Sequence, residues 1–307
     1  MGRNDMLLIC GTIPKDDFPL TIGPVSFDGT SLILNGAAIP CAQGTAALAS
    51  AACEVAEYLG AERPHALLVG DRGTGKGSRA LYKHLIEHLP SLSPGVLILH
   101  YMLPIMGLMK KVCQSAEECR RRPVMIADAA AMYAAKAAGL APRFDIFTPD
   151  HSEMAFLADP EASHPAYVSR HLFESDGAMI PELSLASYKQ RGAAIMLVVK
   201  GATDYIVEYG KVIGQISEPD IPALEAIGGT GDTISGMLGA FIQAGFPFTD
   251  AALLTARINR LAGQYARATP ATKIREIIAA IPAVLRDHVK KETRGSLSER
   301  SMLNDRN

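Results

Sequence analysis

Residues Ile227-Gly228-Gly229-Thr230-Gly231-Asp232-Thr233 put three glycines, a hydroxyl and a carboxylate directly before Ile234 to Ile242, an apolar run at helical spacing. The first amides of a helix have no intrahelical partner and sit at the positive end of its dipole, so they attract an anion. Glycines let that backbone approach a phosphate closely. Asp232 would then stand beside the anion, where a base can take a proton from an attacking hydroxyl. An N-capping Asp after a loop is the plainer account. The coincidence of Gly228, Gly229, Thr230 and Gly231 with Asp232 favours phosphate binding and catalysis.

Four other loops carry comparable residues. Gly70-Asp71-Arg72-Gly73-Thr74-Gly75-Lys76-Gly77-Ser78 follows an apolar strand and precedes a helix. It nearly matches the Walker A pattern, with Gly70, Gly75 and Lys76 in place, but Gly77 stands where the magnesium-binding hydroxyl belongs. A turn built to hold a phosphate or a cofactor's edge remains the expectation. Asp128 ends the strand Val124 to Ala127 and is either a polar group facing a cleft or a helix N-cap. Asp150 and Glu153 lie three apart at a helix start, on one face. They suit Mg²⁺, directly or through waters, and equally a capping Asp with a dipole-facing Glu. Lys200 and Gly201 follow the strand Ala194 to Val199; the lysine either reaches a phosphate or is solvated.

The elements that must position these residues alternate. Strands are expected at 65–69, 96–99, 124–127, 144–147 and 194–199, with helices at 46–59, 78–89, 105–120 and 129–138 between them. Short apolar strands alternating with helices predict a parallel sheet covered on both faces, whose ligands gather at the carboxyl ends of its strands. Residues 205–213 read as a hairpin at the sheet edge, and 150–191 as helical with interruptions. Residues 5–42 read as short strands that could form a lid or an oligomer contact. The stretches 233–244, 249–268 and 272–286 read as helices. The whole is expected as one α/β domain over 1–289, with a disordered charged tail at 290–307.

The chain has 307 residues, 48% hydrophobic and 20% charged, with a net charge of −2. Those values fit a globular protein and give no basic footprint for nucleic acid or an anionic membrane. No apolar run is long enough to span a bilayer. Five scattered cysteines form no C-x-x-C pair and are expected as reduced thiols, so a cytoplasmic location is the expectation. The partners expected are a small-molecule substrate and, if the chain self-associates, a second copy of it.

The motifs, in order, resemble the ribokinase-like superfamily: a glycine-rich βα turn, Thr148-Pro149-Asp150-His151-Ser152-Glu153 after a strand, Val199-Lys200-Gly201-Ala202 after a later strand, then Gly228 to Asp232. Within it they look most like the carbohydrate-kinase-like NAD(P)H-hydrate dehydratases, over roughly 40–286 and most sharply over 198–245. The family's G-P-G-L-G turn is matched to Gly70 to Gly77 and its T-P-H-P-G-E-M to Thr148 to Met154, each with departures. The resemblance implies a three-layer fold with a mostly parallel central sheet. It also implies ADP or ATP with Mg²⁺, and phosphoryl transfer to a substrate hydroxyl, which kinases stop at and dehydratases follow by elimination. Asp232 would be the base, and Lys200, Gly201 and Gly228 to Gly231 would hold the nucleotide. Asp150 and Glu153 would organise Mg²⁺. Gly70, Asp71, Gly73, Gly75, Lys76, Gly77 and Asp128 would lie toward the substrate.

Overall fold

The computed structural model describes residues 6–162 and 179–289. The expected tail at 290–307 and part of the middle helical region lie outside the described residues. Six strands form the parallel centre of one sheet: β1 (Leu7–Ile13), β5 (His65–Gly70), β6 (Val96–His100), β7 (Val124–Ala127), β8 (Ile146–Phe147) and β9 (Met196–Val199). Their spatial order is β9-β8-β7-β6-β1-β5. The expected hairpin, β10 (Asp204–Glu208) and β11 (Lys211–Ile216), extends one edge antiparallel. β2 (Thr21–Phe27), β3 (Ser31–Leu34) and β4 (Ala37–Pro40) extend the other.

The first strand of the N-terminal segment lies at the centre of the sheet, and the rest, β2 to β4, at its edge. β1 is the strand between β5 and β6, paired parallel to both, and Leu7 to Cys10 are fully buried. A continuous apolar run is what a strand covered on both faces requires. Successive residues serve opposite layers, as the strand period dictates. Leu7 and Ile9 pack with α1 (Thr45–Leu59), α7 (Thr230–Gln243), α8 (Phe248–Tyr265) and α9 (Ile274–His288). Leu8 and Cys10 pack with α2 (Lys76–Leu92), α3 (Met106–Glu117), α4 (Ala130–Ala137), α5 (His151–Ala158) and α6 (Ile180–Lys189). Each face of the sheet thus has its own helical layer.

Two features of this frame set the site. The chain leaves β1 for β5 on one side and returns to β6 on the other, so the strand order reverses at the β1/β6 crevice, where open α/β sheets collect ligands. Helix α7 also presses unusually close to its neighbour. A Cβ on Gly236 would land on the Leu48 carbonyl of α1, so only glycine permits this approach. That contact brings the start of α7 against the start of α1, above the crevice.

Candidate active site

A cleft of about 580 Å³ lies across the carboxyl ends of β6 to β9, lined among others by Tyr101, Asp128, Asp150, Lys200, Gly229 to Asp232 and Arg260. Strand order brings together loops distant in sequence, and the start of α7 crosses above them. Gly229 is the N-cap of α7 and has φ 102°, in the left-handed region that favours glycine. No side chain caps this helix. The Thr230 hydroxyl donates to the Leu224 and Ile227 carbonyls, so it closes the turn rather than covering the helix end. Among the described residues the amides of Gly231 and Asp232 carry no hydrogen bond. Gly228 stands back from the cleft, facing Gln43.

Asp232 does not cap its own helix. One carboxylate oxygen accepts from the Gly44 amide at 2.6 Å, and the other accepts from His100 Nε2 at 3.0 Å. His100 ends β6 and is fully buried; its Nδ1 lies 2.9 Å from Thr45 Oγ1, which donates to the Thr12 carbonyl at the end of β1. The Asp232 carboxylate is therefore held by both strands of the crevice and by the first residues of α1. Burial works against the charge of Asp232. The His100 hydrogen bond and charge, Lys200 and the Gly44 amide outweigh burial and hold the carboxyl below its usual range. Each oxygen has a further lone pair beyond the bond it accepts.

The Lys200 side chain is only 12% exposed, and its ammonium donates to Asp128 Oδ1 at 2.9 Å. Burial opposes its charge, but Asp128, Glu153 and Asp232 reverse the effect and hold the ammonium above its ordinary range. A Cβ on Gly231 would lie 3.5 Å from Lys200 Nζ, so the ammonium stands at the open end of α7. Asp128 is buried at the cleft wall. It also accepts from Ser235 Oγ at 2.6 Å, and so ties Lys200 to α7. The Gly201 loop is fixed by Arg260, whose guanidinium donates to Asp204 Oδ2 and to the Gly201, Ala202 and Ser217 carbonyls.

Asp150 and Glu153 realise the capping alternative. Asp150 Oδ1 accepts from the Glu153 amide at 2.8 Å, and Glu153 Oε2 accepts from the Asp150 amide at 2.8 Å. Glu153 Oε1 accepts from the Tyr133 hydroxyl at 2.6 Å. Burial, with Asp150 and Asp128 adding to it against Lys200, pushes the Glu153 carboxyl up to about 7. Glu153 is thus committed to holding the helix start. Asp150 lines the cleft, and its Oδ2 carries no bond among the described residues. Mg²⁺ keeps waters and phosphate oxygens and needs only one or two carboxylates, so Asp150 fits that role and Glu153 does not. His100, Asp128 and Asp232 also bring ligand atoms within 4.8 Å of one another, but the Lys200 ammonium already occupies Asp128.

The glycine-rich turn at 70–78 departs from expectation. None of Gly70, Asp71, Gly73, Gly75, Lys76 or Gly77 lines the cleft. The turn holds an anion, and that anion is its own Asp71. Oδ1 accepts from the Gly73 and Gly75 amides and the Thr74 hydroxyl, and Oδ2 from the Ser78 amide and hydroxyl. The Gly73, Gly75 and Ser78 amides, which a Walker-type phosphate would use, are taken by this carboxylate. The wall in that part of the cleft comes instead from Tyr101, just after β6. His100, Tyr101, Gly44 and Arg260 were not singled out in the sequence. His100 and Tyr101 had a signal, since they follow the apolar run Val96 to Leu99 at a strand's carboxyl end. Gly44 and Arg260 had none, because their roles depend on helices packed from elsewhere.

The family model described as NAD(P)H-hydrate dehydratase, of the carbohydrate-kinase type, matches residues 103–283. A protein of Methanocaldococcus jannaschii, named as uncharacterized, is 40% identical over 234 residues, 76% of this chain and 96% of that one. The ADP/ATP-dependent NAD(P)H-hydrate dehydratase of Bacillus subtilis, co-crystallized with ATP/Mg²⁺, has a similar structure: TM-score 0.57, 14% identity, 92% of this chain and 90% of that one. A ribokinase-like superfamily protein of Enterococcus faecalis gives TM-score 0.55 at 16% identity, covering 92% and 88%. The Bacillus subtilis pyridoxal kinase in its ADP complex gives TM-score 0.52 at 14% identity, covering 82% and 90%. The chain belongs to the carbohydrate-kinase-type NAD(P)H-hydrate dehydratase family, a family of enzymes with the ribokinase-like fold.

Proposed function

We propose that this chain is a nucleotide-dependent NAD(P)H-hydrate dehydratase, using ADP or ATP, with Asp232 as general base. The observation that carries the reading is the open end of α7. Of the three glycine- or acid-marked helix starts, 70–78 is filled by Asp71 and α5 by its capping box, while α7 keeps its amides free beside the Lys200 ammonium. A phosphate there meets unpaired N–H groups, a helix dipole and a largely desolvated cation.

The residues then have distinct tasks. The Gly231 and Asp232 amides and Lys200 hold the transferring phosphoryl group, and Asp128 keeps Lys200 charged and aimed. Asp232 is ionised at neutral pH and takes the proton of the substrate hydroxyl as its oxygen attacks. His100 and Gly44 fix the direction of that carboxylate. The C–O bond then breaks with its electron pair leaving on the phosphate, the neighbouring ring carbon gives up a proton to water, and the C–H electron pair restores the ring double bond. Mg²⁺, held by Asp150, would supply neutralising charge for the nucleotide phosphates.

The test is the purified protein with NADH hydrate, ADP or ATP, and Mg²⁺. Nucleotide-dependent recovery of dihydronicotinamide absorbance supports the reading. Nucleotide consumption with a stable phosphorylated product and no recovered absorbance would make it a small-molecule kinase, the activity in the name of its Bacillus neighbour. No nucleotide binding at all refutes both.

A further inference from the structure

Tyr101 sits where the frame leaves no freedom and one face open. Its φ is 44°, a left-handed conformation that is a true outlier for a bulky residue and costs stability. Its carbonyl accepts from Thr12 Oγ1 at 2.7 Å, which pins the backbone to β1. Its ring centroid lies 4.2 Å from that of His100, tilted by 55°. Its edge lies over Gly44, where a Cβ would come within 3.1 Å of the ring. The ring is thus braced by both residues that hold Asp232. Yet it is 46% exposed and lines the cleft, and Leu103 of the same loop and Met106 at the start of α3 are exposed beyond it.

Strand order says which ligand such a wall serves. β6 is three strands from β9, a span of roughly 14 Å at the usual strand spacing. The Gly201 loop, Pro222 and Arg260 enclose the β9 end, and Asp232 lies between the two ends. Aromatic faces favour offset stacking on other flat π-systems. We infer that Tyr101 is a specificity-determining wall for the non-nucleotide substrate, selecting a ring with a planar conjugated face, the whole ring in pyridoxine and the N1–C2=C3–carboxamide side in NADH hydrate, which lies on it while a ring hydroxyl or hydroxymethyl reaches Asp232. This rests on Asp232 being the base, as proposed above.

The chain contains no tryptophan, so Tyr101→Trp places a single fluorescent reporter in the wall. That protein is titrated with NADH hydrate, with pyridoxine and with D-ribose, each with and without ADP and Mg²⁺. Tyr209→Trp, at the exposed β10–β11 turn, is the control. Saturable quenching by at least one flat-ring probe is expected at position 101 only, with none from D-ribose. Calorimetric affinity for that probe should fall about tenfold in Tyr101→Leu and stay within about twofold in Tyr101→Phe. ADP affinity should hold in both, which also reports that they are folded. No saturable quenching by either flat-ring probe, equal quenching by D-ribose, or unchanged affinity in Tyr101→Leu overturns the inference. ADP binding without ring-probe binding removes the wall and leaves the phosphoryl-transfer reading. Ring-probe binding without ADP binding does the reverse.

Discussion

Replacing Asp232 by Asn tests the base while sparing the scaffold, and the hydrogen bonds say why. The carboxylate accepts from two donors, Gly44 N and His100 Nε2. Asn can turn its carbonyl oxygen to Gly44 and its NH₂ to His100. The imidazole then accepts at Nε2 and donates from Nδ1 to Thr45 Oγ1, whose own hydroxyl hydrogen points to the Thr12 carbonyl. Every buried group stays satisfied, so the melting temperature of Asp232→Asn should remain near that of the wild type. Turnover should fall by about 10²–10⁴, the range for losing a general base. Nucleotide affinity should hold or rise, because a negative charge near the phosphates is gone. Asp232→Ala leaves both buried donors without an acceptor, at a cost of about 1–3 kcal/mol each. The assay pairs turnover, followed by nucleotide consumption and recovered absorbance, with thermal melts of both variants. Unchanged turnover in Asp232→Asn removes the catalytic role. An Ala variant as stable as the Asn variant refutes the network argument itself.

Three further outcomes follow from the other loops. Gly231→Val should abolish ADP binding with the fold intact, because its Cβ meets Lys200 only at ordinary contact distance while its branches fill the anion pocket; Lys76→Ala should leave ADP binding unchanged, and the opposite pattern in calorimetry restores the P-loop. Asp71→Ala should cost about 0.5–2 kcal/mol in denaturant unfolding, and added sulfate should recover part of it by occupying the vacated amides; no sulfate effect means the loop collapses instead. Glu153 has a folded pKa raised to about 7 from the ordinary 4.5, so its contribution is fully present below about pH 4.5 and is lost as pH rises through 7. Glu153→Gln, which keeps the capping box, should flatten that part of the stability–pH curve, and an unchanged slope between pH 5 and 8 would contradict the assignment.

The layers were legible in the sequence because burial writes a period onto it. Val96 to Leu99 and Met196 to Val199 are apolar on both faces and could only be central strands. β1 was readable as a strand but not as the central one. Its partners lie at His65 to Gly70 and Val96 to His100, and pairing over such distances leaves no local trace. The same limit hid the second half of the site. Asp232 declares itself beside its glycines, whereas His100 and Gly44 become its partners only when the close α1–α7 contact at Gly236 brings them there.

The glycine-rich turns carried the hardest ambiguity, and its resolution is physical. Gly70 to Gly77 looked as capable of holding a phosphate as Gly228 to Gly231. What separates them is where the acid lies relative to the amides. Asp71 precedes the glycines, so its short side chain folds forward onto the N–H groups of Gly73, Gly75 and Ser78 and fills the nest from within. Asp150 does the same as N-cap of α5. Asp232 follows the glycines, inside the first turn of α7, where helical geometry turns its side chain away from the axis and toward α1. An acid ahead of the glycines satisfies the amides, and an acid behind them leaves the amides open while standing beside whatever binds. That asymmetry leaves α7 alone among the three without a carboxylate folded onto its amides, and it puts Asp232 beside any anion that binds there without competing for its donors.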